Sequence, residues 1–116
     1  MTEITKRFFS LLKYDNTSSG DVERQQLFYV IARTNQLWER AELIYDFHTH
    51  RLKENWDNLF DGTPGKMLAR AAHLYNSCNK DISTVQLFWG MDYYNTQTMI
   101  DAQMIYCQKF DFNQLK

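Results

Sequence analysis

Along most of this chain apolar residues return every three to four positions, the spacing that gathers side chains on one face of an α-helix. In a first segment, about residues 2–14, Ile4, Phe8, Leu11 and Leu12 keep that spacing, with Phe9 on the flank. Residues 16–20 are small and polar and read as a turn. Asp21 then offers a side-chain acceptor ahead of a second helix over about residues 22–34, and Glu23 adds favourable charge to its first turn. There Leu27, Phe28, Val30 and Ile31 form a broad core stripe, with Glu23, Arg24 and Gln26 largely outside it. Asn35 can cap a third helix carrying Leu37, Trp38, Ala41, Ile44, Tyr45 and Phe47 and continuing toward residue 53. Trp56, Leu59 and Phe60 either extend it or form a separate turn.

The clearest break is Asp61-Gly62-Thr63-Pro64-Gly65. Gly62 suits a helix stop, Thr63 an N-cap and Pro64 the first helical position, where a missing N–H costs nothing. A fourth helix, about residues 64–77, aligns Leu68, Ala71, Ala72 and Tyr75, and the paired alanines let a neighbour approach closely. Ser83 caps a short helix holding Val85, Leu87, Phe88 and Trp89 and ending at Gly90. In the last helix, about residues 92–110, apolar residues from Met99 to Cys107 wrap most of the cylinder. That pattern predicts a central position in the bundle, or a homodimer formed through this C-terminal helix. Strand signals are weak, and no repeat or dividing linker is visible. The expected fold is all-α, a compact bundle of five to six helices in a single domain over residues 1–116.

Composition changes the picture in one respect. Eight Phe, seven Tyr and three Trp make 16% of the chain aromatic, more rings than one small core easily hides, so some are expected at the surface or in an interface. Trp38, Tyr45, Trp56, Trp89 and Tyr93 are the candidate partner-binding residues, because large rings dominate binding energy at interfaces. The charges, 13 Lys plus Arg against 14 Asp plus Glu, are interspersed and form no basic stripe, which argues against nucleic-acid binding. No apolar run approaches the ~20 residues that span a bilayer. Cys78 and Cys107 belong to no CxxC pair and the opening residues carry no apolar signal core, so a cytoplasmic protein with free, buried thiols is expected.

Candidate chemistry is sparse. Asp46, His48 and His50 are ordinary metal-ligand types, yet on a helix residues two apart point in nearly opposite directions; they converge only if the backbone there is extended. Asp21, Glu23 and Arg24 form a charged group at a helix start, read as a cap with an ion-pair network that could take in Asp46. Together Asp21, Glu23, Arg24, Asp46, His48 and His50 are the candidate polar site of a small hydrolase or nuclease. No Gly-rich phosphate loop or cofactor motif is present, and neither metal nor cofactor is expected.

The blocks Gly20-Asp21-Val22-Glu23-Arg24-Gln25, Leu27-Phe28-Tyr29, Ile44-Tyr45-Asp46-Phe47, Leu68-Ala69-Arg70, Leu74-Tyr75-Asn76 and Leu87-Phe88-Trp89-Gly90-Met91-Asp92 resemble, over about residues 8–105, an uncharacterised family of small helical proteins. That family occurs in Gram-positive bacteria and their phages and is known only as a domain of unknown function. The resemblance implies no activity and a phage or mobile-element setting. The expected function is a helical protein-interaction module, such as a phage-encoded inhibitor or modulator of a host or defence protein. The alternatives are the acidic and histidine-based hydrolase and a helix-turn-helix nucleic-acid-binding protein built on the second and third helices.

Overall fold

Among residues 2–77 and 82–115, which the computed structural model describes, there are seven α-helices, two short 3-10 turns and one small hairpin. Helix α1, Glu3–Asp15, starts at Thr2, whose side chain accepts from the Thr5 N–H, and stops where Asn16 turns left-handed at φ 57°. Helix α2, Val22–Arg33, is capped by Asp21, which accepts from the Arg24 N–H at 3.1 Å.

Every residue of α2 from Gln25 to Ala32 is buried, and three longer helices pack around it: α1, α5 (Gly62–Asn76) and α7 (Tyr93–Tyr106). They contribute Phe8 and Leu11, Met67, Leu68, Ala71 and Ala72, and Met99, Ala102 and Ile105. The bundle axis is therefore the second helix and not the last, as the apolar wrap of the C-terminal helix predicts. Two polar residues let α2 be enclosed on all sides. Gln26, expected outside the core stripe, is fully buried and donates to the Ala71 carbonyl at 2.6 Å, and Gln25 donates to the Ser19 carbonyl at 2.9 Å. Tyr29 reaches the edge of the core and donates to Asp101 at 2.7 Å.

The expected third helix is broken into α3, Asn35–Trp38, and α4, Ala41–Ile44, and is followed by an antiparallel hairpin, β1 Tyr45–Asp46 and β2 Arg51–Leu52. Tyr45 pairs with Leu52 and Asp46 with Arg51. Phe28 explains the switch. Its ring meets Tyr45 edge-on at 5.0 Å and stacks on Phe47 at 6.0 Å. Residues two apart share a face only in extended backbone, so both rings reach Phe28 when the helix stops at Ile44. The Asp46 carboxylate closes the turn by accepting from the His48 and Thr49 N–H groups at 2.8 and 3.2 Å, and His50 leaves it at φ 59°.

Trp56 opens a short 3-10 turn, Trp56–Asn58, and is buried. At the break over 61–65 the helix begins earlier than predicted: α5 starts at Gly62, itself at φ +63°, with Asp61 in the cap position, so Thr63 and Pro64 lie inside its first turn and Thr63 is not the cap. Helix α6, Thr84–Phe88, carries a full capping box between Ser83 and Gln86 and ends before Gly90 at φ +70°. After α7 the chain reverses at Gln108, φ 60°. Phe110 then packs on Tyr29 at 5.6 Å and Phe112 stacks on Phe8 at 6.0 Å. Of the two thiols, Cys107 is free and exposed where α7 ends, against the expectation of a buried one, and Cys78 lies outside the described residues.

Gly65 yields the first prediction. A Cβ there would lie 2.7 Å from the Phe60 carbonyl oxygen and 3.2 Å from its carbon, and both are backbone atoms that cannot swing aside. Alanine favours a helix by about 1 kcal/mol over glycine, but displacing packed backbone costs about 1–3 kcal/mol. Gly65→Ala is expected to lower the urea midpoint, whereas a helix-propensity effect alone would raise it.

Candidate functional site

Helix α1 ends on an acid. Asp15 stands in the last turn, where the helix dipole disfavours negative charge, and it is only 3% exposed. Tertiary partners offset that position. Its Oδ1 accepts from the Tyr45 hydroxyl at 3.0 Å and lies 2.7 Å from His50 Nδ1. Its Oδ2 accepts from the Thr17 hydroxyl at 2.8 Å and stands 3.9 Å from Arg24 Nε.

Arg24, on the first turn of α2, binds the rest of the cluster together. It donates from Nε to the Tyr45 hydroxyl at 2.9 Å, from Nη1 to Asp21 at 2.8 Å, and from Nη2 to the His50 carbonyl at 2.6 Å. Its guanidinium also lies over the Tyr75 ring, 5.4 Å from the centroid, and Tyr75 donates to the same His50 carbonyl at 3.1 Å. Four elements thus meet on one cation and one carboxylate: α1, α2, the hairpin loop and α5. Burial works against the charge of Arg24, and its bonds to Tyr45 and Asp21 outweigh that effect and raise its pKa. Burial, helped by the Asp15 carboxylate and opposed by Arg24, pushes Tyr45 well above the ordinary tyrosine range.

Of the polar residues singled out by the sequence, the fold gathers Asp21, Arg24 and His50. It leaves Glu23 exposed on α2, and Asp46 and His48 on the other side of the hairpin turn. The ion-pair network expected around Asp21 exists, with Asp15 in the place proposed for Asp46. Asp46 is held below the ordinary carboxylate range by the His48 and Thr49 N–H groups it accepts from. The backbone at Asp46 is extended, yet among the described residues no three His, Cys, Asp or Glu side chains stand where they could share a metal ion.

Asp15, Thr17 and Tyr75 are the cluster members that sequence reasoning missed. An acid in the final turn of a helix is the signal that marks Asp15; Tyr75 read only as part of a core stripe.

A buried carboxylate on an imidazole Nδ1 is the pairing that orients histidine in acid–base sites. Here the carboxylate is shared with a tyrosine, a threonine and an arginine. Three hollows of the surface, of about 830, 220 and 550 Å³, are lined by neither Asp15, Arg24 nor His50. The cluster's buried polar groups pair with one another, and these bonds hold the hairpin loop to α1, α2 and α5 as a clamp. The helix-turn-helix reading loses its geometry as well: its first helix is the buried axis of the bundle and its second is the four-residue α3.

The candidate rings divide. Tyr45 and Trp56 are core residues, 1% and 8% exposed, and Trp38 is half-buried beneath the Arg7 guanidinium. Trp89 and Tyr93 stand in solvent, at 79% and 84%. Val85 on α6 and Tyr14 on α1 join them at 74% and 75%.

Fold and cluster define a small, mostly helical protein with one core and a polar clamp joining α1, α2, the hairpin loop and α5. A family model of the DUF6075 family, described as a family of unknown function, matches residues 2–114, and the chain belongs to that family. No curated protein and no solved structure matches it. Among the described residues no helix is long and apolar enough to cross a membrane.

Proposed function

We propose that the chain is a protein-interaction module that binds a larger protein through α6, the turn after it and the start of α7. The observation that carries this reading is the exposure of Val85, Trp89 and Tyr93, each about three-quarters or more in solvent, within nine residues of sequence. A ring such as Trp in water forgoes a large burial energy, and Trp and Tyr are the residues on which interface energy concentrates. The face is also held firmly. The capping box fixes the start of α6, and Lys66 donates to the Gln86 and Trp89 carbonyls at its end, both at 3.1 Å. A pre-ordered face loses little entropy on binding. The phage setting implied by the resemblance makes a cytoplasmic host or defence protein the partner class. Binding and blocking is the action such a module would have.

Because Trp89 and Tyr93 touch so little of the protein, a Trp89→Ala/Tyr93→Ala double variant is expected to fold like the parent, with stability changed by about 0.5 kcal/mol or less. A host protein retained by the parent and lost by the variant in quantitative affinity capture supports the reading; an identical set retained by both removes it.

A homodimer is a second reading, favoured by the outer stripe of α7. Tyr93, Gln97, Ile100 and Met104 follow the helical repeat without a charge among them, and three are exposed. A two-fold interface sets a patch against itself, so an uncharged apolar stripe meets no repulsion. Sedimentation of the parent and of Ile100→Lys decides it: association abolished by the lysine supports the dimer, and a parent that stays monomeric at every concentration excludes it.

A further inference from the structure

Next to the clamp, with Tyr45 shared between the two, α1, α3, α4 and the hairpin line an open groove of about 830 Å³. Its walls are aromatic. Tyr14 stands out from α1 and meets Phe47 edge-on at 5.1 Å, and Phe47 is backed by Tyr45 at 4.9 Å. Trp38 lines the groove from α3 and already carries a guanidinium, that of Arg7, 5.1 Å from its ring centroid. Its charge is one-sided. Glu39, Glu42 and Asp46 line it against the single ammonium of Lys53. Among the described residues Glu39 and Glu42 take part in no ion pair. Asp46 bonds within its own turn, first to the His48 and Thr49 N–H groups, an arrangement that favours its anion. The whole chain carries a net charge of −1, so the acidity is local.

We propose that this groove docks a segment of another polypeptide carrying an arginine or lysine beside an apolar residue. Ring faces attract a cation through their quadrupole, Trp most strongly, and guanidinium is the side-chain cation found there more often. Carboxylates outside any ion pair add Coulomb attraction and reject anionic ligands such as nucleic acid. Apolar walls around the rings reward an aliphatic neighbour that a bare cation lacks. This surface is separate from the α6–α7 face, and the inference does not rest on the reading given for that face.

The test uses the full chain and a fluorescein-labelled octapeptide with two arginines flanking a leucine pair, its counterpart with glutamate for arginine, and spermidine as a free cation. Fluorescence anisotropy at low salt is expected to show saturable binding of the arginine peptide with Kd on the order of 100 µM, weakening as salt rises. Glu39→Gln/Glu42→Gln and Tyr14→Ala, all at exposed positions, are each expected to weaken it by about threefold to tenfold with an unchanged circular dichroism spectrum. Trp89→Ala/Tyr93→Ala is expected to leave it unchanged, so failure at one face is distinguishable from failure at the other. The proposal is overturned by absence of binding at low salt, by equal binding of the glutamate peptide, by spermidine displacing the peptide at the peptide's own Kd, or by unaltered affinity in the Glu and Tyr variants.

Discussion

Asp15→Ala is expected to cost about 3–5 kcal/mol, the scale for removing one partner of a buried charge pair, out of the roughly 5–15 kcal/mol that holds a domain of this size together. The reason lies in what it leaves behind. Asp15 is the acceptor for Thr17 and Tyr45 and the neighbour of His50 Nδ1, and it is the innermost anion near Arg24, whose side chain is 28% exposed. Alanine leaves these groups facing a space too enclosed for free hydration, and each uncompensated donor adds its own desolvation penalty. Asp15→Asn keeps an acceptor but not the charge and should fall between the two. Asp15→Ala/Arg24→Ala should cost less than the sum of the single changes, because either one alone already breaks the cluster. Urea denaturation with a constant m-value reads all three. Asp46→Ala is the control: its carboxylate bonds only within its own exposed turn, so its midpoint should stay close to the parent's. Equal, small shifts for Asp15→Ala and Asp46→Ala would mean that the clamp contributes nothing to stability.

That contrast also measures how far the sequence can be read. A helix start is legible where it depends on one side chain and the backbone three residues ahead of it; Asn35 and Thr63, expected as caps, instead lie inside α3 and α5, whose starts have no side-chain cap. Thr2, Asp21, Ser83 and Asp92 all accept from such an N–H, and of these Asp21 and Ser83 announce themselves as caps. The surplus of rings is legible too: Trp89 and Tyr93 stand in solvent. What the pattern hides is set by partners distant in sequence. Nothing near Gln26 reveals that Ala71 will accept from it, so a buried polar residue reads as a solvent-facing one. Without it α2 looks one-sided and α7 looks central. The hairpin is hidden for a related reason. Two residues of alternation, Tyr45 and Phe47, cannot outweigh a helical pattern running through Leu37, Ala41 and Ile44, and the ring that decides the matter, Phe28, lies on another element. Asp15 is an intermediate case. Its unfavourable place on the helix dipole is visible, but its compensation by Arg24, Tyr45 and His50 becomes visible only in three dimensions.

Three phenols link this architecture to alkaline pH. Burial, reinforced by the hydrogen bond to Asp101 and opposed by Arg33, raises the pKa of Tyr29. Burial raises Tyr45 and Tyr75 in the same sense, each with Arg24 pulling the other way. An unfolded tyrosine ionises near 10.0. Above that pH the unfolded chain releases a proton that the folded protein still holds, so rising pH favours unfolding. The contribution of these groups is therefore intact below pH 10 and is lost as pH climbs toward their folded values. Each pKa unit amounts to about 1.4 kcal/mol per group, and Tyr29 and Tyr45 are almost wholly buried. The expected result is a single cooperative transition above pH 10 in which tyrosinate absorbance from these rings appears together with loss of helical circular dichroism. Tyr29→Phe removes one such proton, so stability should fall less steeply with pH in that variant, even though the loss of the bond to Asp101 makes it less stable at neutrality. Ionisation of all seven tyrosines near pH 10 with the helical signal intact would show that the buried phenols release their protons in place and that the clamp tolerates a second negative charge beside Asp15.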